Sequence, residues 1–118
     1  MTNPAKARGS QWERDIVKYL NENGFPLVER RYGAGAQADK GDVNGIQMVL
    51  ECKNLKAITL STIMDELEAE VANSHFDIGF APVKRRGKGV AEGYAVLPMK
   101  YMVRLLLEAG YGESRKAA

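Results

Sequence analysis

Apolar positions fall at helical spacing in three parts of the chain and in short strand-like runs between them. Trp12, Ile16, Tyr19 and Leu20 repeat with helical period. Ser10 and Glu13 stand at capping-box spacing, so a first helix is predicted to open at Ser10 and stop at Gly24. Leu60, Ile63, Met64, Leu67 and Val71 form a second stripe, with a start near 59–62 and an end near Ser74. Pro98 suits the first turn of a third helix running to about Ala109, with Gly110 as its stop. Residues 26–32, 76–83 and 94–97 read as strands, and 42–53 as a hairpin with Asn44-Gly45 in its turn. The predicted order is α-β-β-β-α-β-β-α, an α/β fold of the α+β type with a mixed sheet.

The hairpin carries the candidate chemistry. An apolar run from Ile46 to Cys52 ends in Glu51-Cys52-Lys53, and Asp42 precedes it. Side chains alternate on a strand, so Glu51 and Lys53 share one face and Cys52 takes the other, packing into the core. A carboxylate and an ammonium at the end of an apolar strand are costly to bury without a task. Two carboxylates, Asp42 and Glu51, can hold a hard divalent cation through oxygen. Lys53 beside them can orient or deprotonate a water, a set suited to metal-assisted phosphodiester hydrolysis. The register decides whether the acids meet. A two-residue turn would leave Asp42 about 13 Å from Glu51, at about 3.3 Å per residue. A four-residue loop over 44–47, or an equivalent bulge, puts Asp42 opposite Val49, and this wider loop is the expectation.

Length and charge narrow the partners. The chain has 118 residues, so one domain is expected, over 10–110, between a flexible arm at 1–9 and a flexible tail at 111–118. At 45% hydrophobic residues it is not a disordered chain. The net charge of +2 is mild, but the charges are segregated. Lys84, Arg85, Arg86 and Lys88 crowd a Gly-containing loop suited to phosphate contacts, while Asp65, Glu66, Glu68 and Glu70 crowd the second helix as a solvated face. Arg30 and Arg31, followed by the bendable loop at Gly33–Gly35, carry the same phosphate reading. A single cysteine excludes an intrachain disulfide and fits a cytoplasmic setting; zinc is not expected. Neither a signal peptide nor a membrane span is visible.

With Asp42 and Glu51-Cys52-Lys53 set in that element order, the chain resembles the PD-(D/E)XK nuclease superfamily. It looks most like the Holliday junction resolvase branch found in archaea and phages. Trp12-Glu13-Arg14, Arg30-Arg31, the Gly33–Gly35 loop and Lys84-Arg85-Arg86-Gly87 extend the likeness over residues 9–105. The resemblance implies a restriction-endonuclease-like αβββαβ core, a central mixed sheet flanked by helices. It implies Mg²⁺ (with Mn²⁺ able to substitute) on Asp42, Glu51 and the Cys52 backbone carbonyl. Lys53 would stand beside the attacking water, and Glu13 would support from the first helix. The DNA contacts would be Arg30, Arg31, Gly35, Lys84, Arg85, Arg86 and Lys88. Gly41 replaces the family's proline, and Asp39 could share the aspartate role. The expected activity is Mg²⁺-dependent, structure-selective endonucleolytic cutting of branched DNA at a four-way junction, by a homodimer and with no nucleotide cofactor. The alternatives are a flap or duplex nuclease of the same fold, or a non-catalytic junction-binding protein. Tyr101, Met102, Leu105 and Leu106 on the last helix are the candidate dimer interface.

Overall fold

The structure, a computed structural model, describes residues 3–31 and 41–113. Helix α1 spans Pro4–Glu22, strand β1 Glu29–Arg30, β2 Val43–Asn44 and β3 Val49–Leu50. Helix α2 spans Leu60–Asn73, β4 Gly79–Val83, β5 Tyr94–Val96 and α3 Met99–Glu108. The element order is the one expected, with a short 3-10 turn at Val90–Glu92 added before β5.

The start of α1 corrects the sequence reading. The cap is Asn3, whose side chain accepts hydrogen bonds from the N–H groups of Ala5 (2.9 Å) and Lys6 (3.4 Å). Pro4 follows at the first helical position, where its missing N–H costs nothing. This Asn-Pro signal takes the start six residues upstream of Ser10, so residues 4–9 are helix rather than a flexible arm. The capping box is therefore not formed. Glu13 lies well inside the helix, and its carboxylate is free to act elsewhere.

Strands β1 and β2 form an antiparallel pair, Glu29 opposite Asn44. Strands β3, β4 and β5 form a mixed sheet, β3 parallel and β5 antiparallel to the central β4. The β3–β4 contact runs beyond the regular strand. Glu51 N–H donates to Phe80 O (3.1 Å), Lys53 N–H to Pro82 O (2.9 Å) and Lys84 N–H to Lys53 O (3.0 Å). Pro82 has no N–H to return to the ladder, which interrupts regular pairing beside Glu51.

Alternation along β3 places one helix on each sheet face. Leu50 packs with Trp12 and Ile16 of α1, together with Val28 and Val43. Val49 packs with Leu67 and Val71 of α2 and Tyr101 of α3. Ala81 and Val83 of β4 meet Ile63 of α2. The indole N–H of buried Trp12 donates to Pro82 O (2.9 Å) and fixes α1 against the central strand. On α3, Tyr101 is buried and Leu105 half-buried in this core. Two of the four expected interface residues thus serve the domain itself, while Met102 and Leu106 face outward.

The hairpin also differs from expectation. Asn44 does not turn; it closes β2 against β1. The backbone bends after it at Gly45, whose φ of +87° favours glycine and which lies directly against the Leu27 backbone. Asp42 N–H donates to Leu50 O (2.9 Å), so Asp42 stands abreast of Leu50, one position beyond the expected Val49. The wide connection is present, and it carries Asp42 to Glu51.

A candidate carboxylate centre

Gly41 sets the entry to the site. Its φ is +103°, and a Cβ there would stand 2.9 Å from Val49 Cγ1 and 3.0 Å from Leu50 O. Proline, locked near φ −65°, cannot take this conformation. Gly41 thus turns the chain so that Asp42 meets β3.

The Asp42 carboxylate accepts a short hydrogen bond from Cys52 N–H (2.6 Å), and the Glu51 carboxyl lies beside it. Burial, then the charge of Glu51 and, more weakly, that of Glu13, push Asp42 from 3.8 up to about 8, against the pull of the Cys52 N–H. Two like charges facing each other in a buried setting are what a divalent cation relieves. The Cys52 N–H faces Asp42, and in extended backbone the carbonyl of the same residue points to that side. The donor set, all oxygen, therefore fits Mg²⁺ or Mn²⁺. Among the described residues, no group of three or more His, Cys, Asp or Glu side chains forms a metal cluster.

Glu51 is 8% exposed and shares a face with Lys53, as alternation requires. Lys53 Nζ lies 3.2 Å from Glu51 Oε2 and 2.8 Å from Glu66 Oε1. Burial works to lower the Lys53 pKa, but the bonds to Glu66 and Glu51 outweigh it and the value is raised. Lys53 is accordingly a fixed cation here rather than a ready base. Glu66, on α2, was read from sequence only as part of the solvated acidic face. Its signal was position: it follows Ile63 by three residues and precedes Leu67 by one, on the border of the apolar stripe.

On the α1 face, Glu13 is held by Arg30, which donates from Nε (3.1 Å) and NH2 (2.9 Å) to one carboxylate oxygen. Arg30 is therefore engaged with Glu13 rather than presented as an open phosphate contact. Arg31 donates its backbone N–H to Asp42 O (2.9 Å), and its Nε is buried without a hydrogen-bond partner among the described residues. Cys52 packs against the Trp12 cluster, as expected, and burial, then the neighbouring charge of Asp42, raises its thiol pKa strongly. The chain brings Asp42, Glu51, Lys53, Cys52, Glu13 and Arg30 together, with the Arg31 backbone bonded to Asp42. Gly35 and Asp39 lie outside the described residues.

The basic loop divides. Arg85 lies over the Tyr94 ring (5.3 Å) and donates to Glu92 O (3.3 Å), which turns it towards β5. Lys84 lies over the Trp12 ring (5.3 Å) and donates to Lys88 O (2.6 Å). Arg86 and Lys88 are exposed. No described helix is long and apolar enough to cross a membrane. Comparison with protein-family models, curated proteins and solved structures finds no match to the chain.

Proposed function

We propose that the protein is a divalent-cation-dependent endonuclease of restriction-endonuclease-like fold that cuts branched DNA, a four-way junction foremost. The observation that carries this reading is the Asp42 carboxylate, bonded to Cys52 N–H, beside buried Glu51 and the doubly anchored Lys53. The αβββαβ order and the parallel β3–β4 pair support the fold assignment. A divalent cation on Asp42, Glu51 and the Cys52 carbonyl would supply Lewis acidity towards the scissile phosphate and lower the pKa of water in the site. Lys53 orients the attacking water and offsets charge that grows on the phosphoryl oxygens. Glu66 and Glu51 hold the Lys53 ammonium in place for that work. Glu13, steadied by Arg30, accepts a hydrogen bond from water on the α1 side.

The outward residues of α3, Met99, Met102, Val103, Leu106 and Leu107, form an apolar face consistent with a two-fold dimer, the arrangement that paired cuts in a junction require. Light scattering should return twice the chain mass; a single-chain mass at micromolar concentration removes this element. The activity is tested by incubating the protein with Mg²⁺ and labelled four-way, flap and linear DNAs, with Glu51→Ala in parallel. Paired nicks in the junction that vanish in the variant are expected. Cutting of flap or linear DNA instead would change the substrate. No cleavage of any of them under Mg²⁺ or Mn²⁺ would overturn the enzyme reading.

A further inference from the structure

Strands β3 and β4 run parallel, so both leave the sheet at the same end, just past the Lys53–Val83 bridge. Asn54 and Lys56 follow one strand, and Lys84, Arg86 and Gly87 follow the other. Between them opens a groove of about 240 Å³, closed on its third side by Arg8 of α1. Asn54 Nδ2 donates to Arg8 O (3.4 Å), tying the helix to the loop. The carboxyl ends of parallel strands are where α/β sheets bind ligands, because the loops that diverge there leave a crevice.

The electrostatics of this crevice are one-sided. Arg8, Lys56, Lys84 and Arg86 line it, and no described lining residue is acidic. Among the described residues none of these four cations forms an ion pair, whereas Lys53, Lys100, Arg30 and Arg104 all do. The contacts of the Lys84 ammonium, a carbonyl and an indole face, leave its charge uncompensated. Four like charges around one small opening repel one another, and an anion that enters relieves all of them. The near edge of the groove, Asn54, is one residue past Lys53, roughly 3 Å along the strand. An anion seated there is therefore next to whatever occupies the carboxylate centre.

We propose that this groove grips the sugar–phosphate backbone of a nucleic acid strand beside the linkage held at Asp42 and Glu51, with Arg8 and Lys56 as phosphate contacts alongside Lys84 and Arg86. The assignment rests on the nuclease reading. It makes the amino-terminal turns of α1 part of the substrate surface and sets Arg85 apart from it. Phosphate contacts of this kind are independent of sequence and sensitive to salt.

The test is fluorescence anisotropy with a labelled four-way junction in EDTA, where no cutting occurs, across a salt series. It compares the wild type, Arg8→Ala/Lys56→Ala, and Lys100→Ala/Arg104→Ala, which removes the same charge from α3. The groove variant should weaken binding roughly tenfold or more and flatten the log–log salt slope by about 2, close to one per lost phosphate contact. The α3 variant should bind within about twofold of the wild type, since its cations lie far from the proposed path. Equal loss in both variants, or none in the groove variant, overturns the groove while leaving the nuclease reading intact. A wild type that does not bind DNA overturns both. Displacement of the junction by polyglutamate at equal charge concentration assigns the groove to acidic peptides and also overturns the proposal.

Discussion

Two charged regions lie end to end in this molecule, and they are built on opposite principles. In the carboxylate centre the charges are largely buried, and its cations are matched by carboxylates. Lys53 sits between Glu51 and Glu66, Arg30 is bound to Glu13, and burial, then the neighbouring charge of Glu51, keeps a proton on Asp42. In the groove that begins at Asn54 the charges are open, and no ion pair matches them among the described residues. A matched, buried constellation is held to a fixed geometry, as chemistry requires. An unmatched, open one is a standing attraction for a polyanion, as substrate capture requires. The difference predicts that changes in the first region alter stability as well as activity, and changes in the second alter binding alone.

The largest expected effect is in the centre. Lys53→Met strips Glu51 of its partner and should cost about 3 kcal/mol of unfolding free energy at pH 7, the scale for a buried charge left uncompensated. Urea denaturation at pH 7 checks this, and equal stability of variant and wild type would break the contrast.

Next in size is the proton on Asp42. Its folded value near 8 lies above the ordinary 3.8, so from about pH 4 to pH 8 the folded state retains a proton that the unfolded chain has released. Stability from this group therefore falls as pH rises through that window and levels off above it. Asp42→Asn should remove the slope and be more stable than the wild type at pH 8 by about 1–2 kcal/mol, the scale for neutralising a poorly matched buried ionic group. A wild-type stability that rises from pH 5 to pH 8 as steeply as that of the variant would count against the buried pair. The smallest effect should come from the groove. Arg8→Ala/Lys56→Ala should leave unfolding within about 0.5 kcal/mol of the wild type, as exposed substitutions do. A larger loss would mean that the groove is structural.

Much of this arrangement was legible in the chain. Period and turn residues disclosed every helix and strand in order, because the stripes at Ile63–Leu67–Val71 and Trp12–Ile16 are long and regular. The pairing of Glu51 with Lys53 followed from alternation alone. The start of α1 was hidden because Ser10-x-x-Glu13 imitates a cap, while the effective signal, Asn3-Pro4, stands before any apolar period begins. The seating of Asp42 depended on the bends at Gly41 and Gly45, which local pattern does not place to the residue. Glu66, Arg8 and Lys56 were not foreseen, since each joins its region by tertiary approach: Glu66 reaches from α2 to Lys53, and Arg8 from α1 to the strand ends. Conversely, Arg85 looked equivalent to its neighbours in the basic run and is turned away by Tyr94.

Whether Asp42 and Glu51 together form a cation site is tested most directly by thermal unfolding at pH 8 with and without Mg²⁺. In the wild type Mg²⁺ should raise the melting temperature, because the ion offsets the charge that the buried pair is forced to carry at that pH. In Asp42→Asn the melting temperature should start higher and no longer respond to Mg²⁺. An equal Mg²⁺ response in both proteins, or none in either, would contradict the claim.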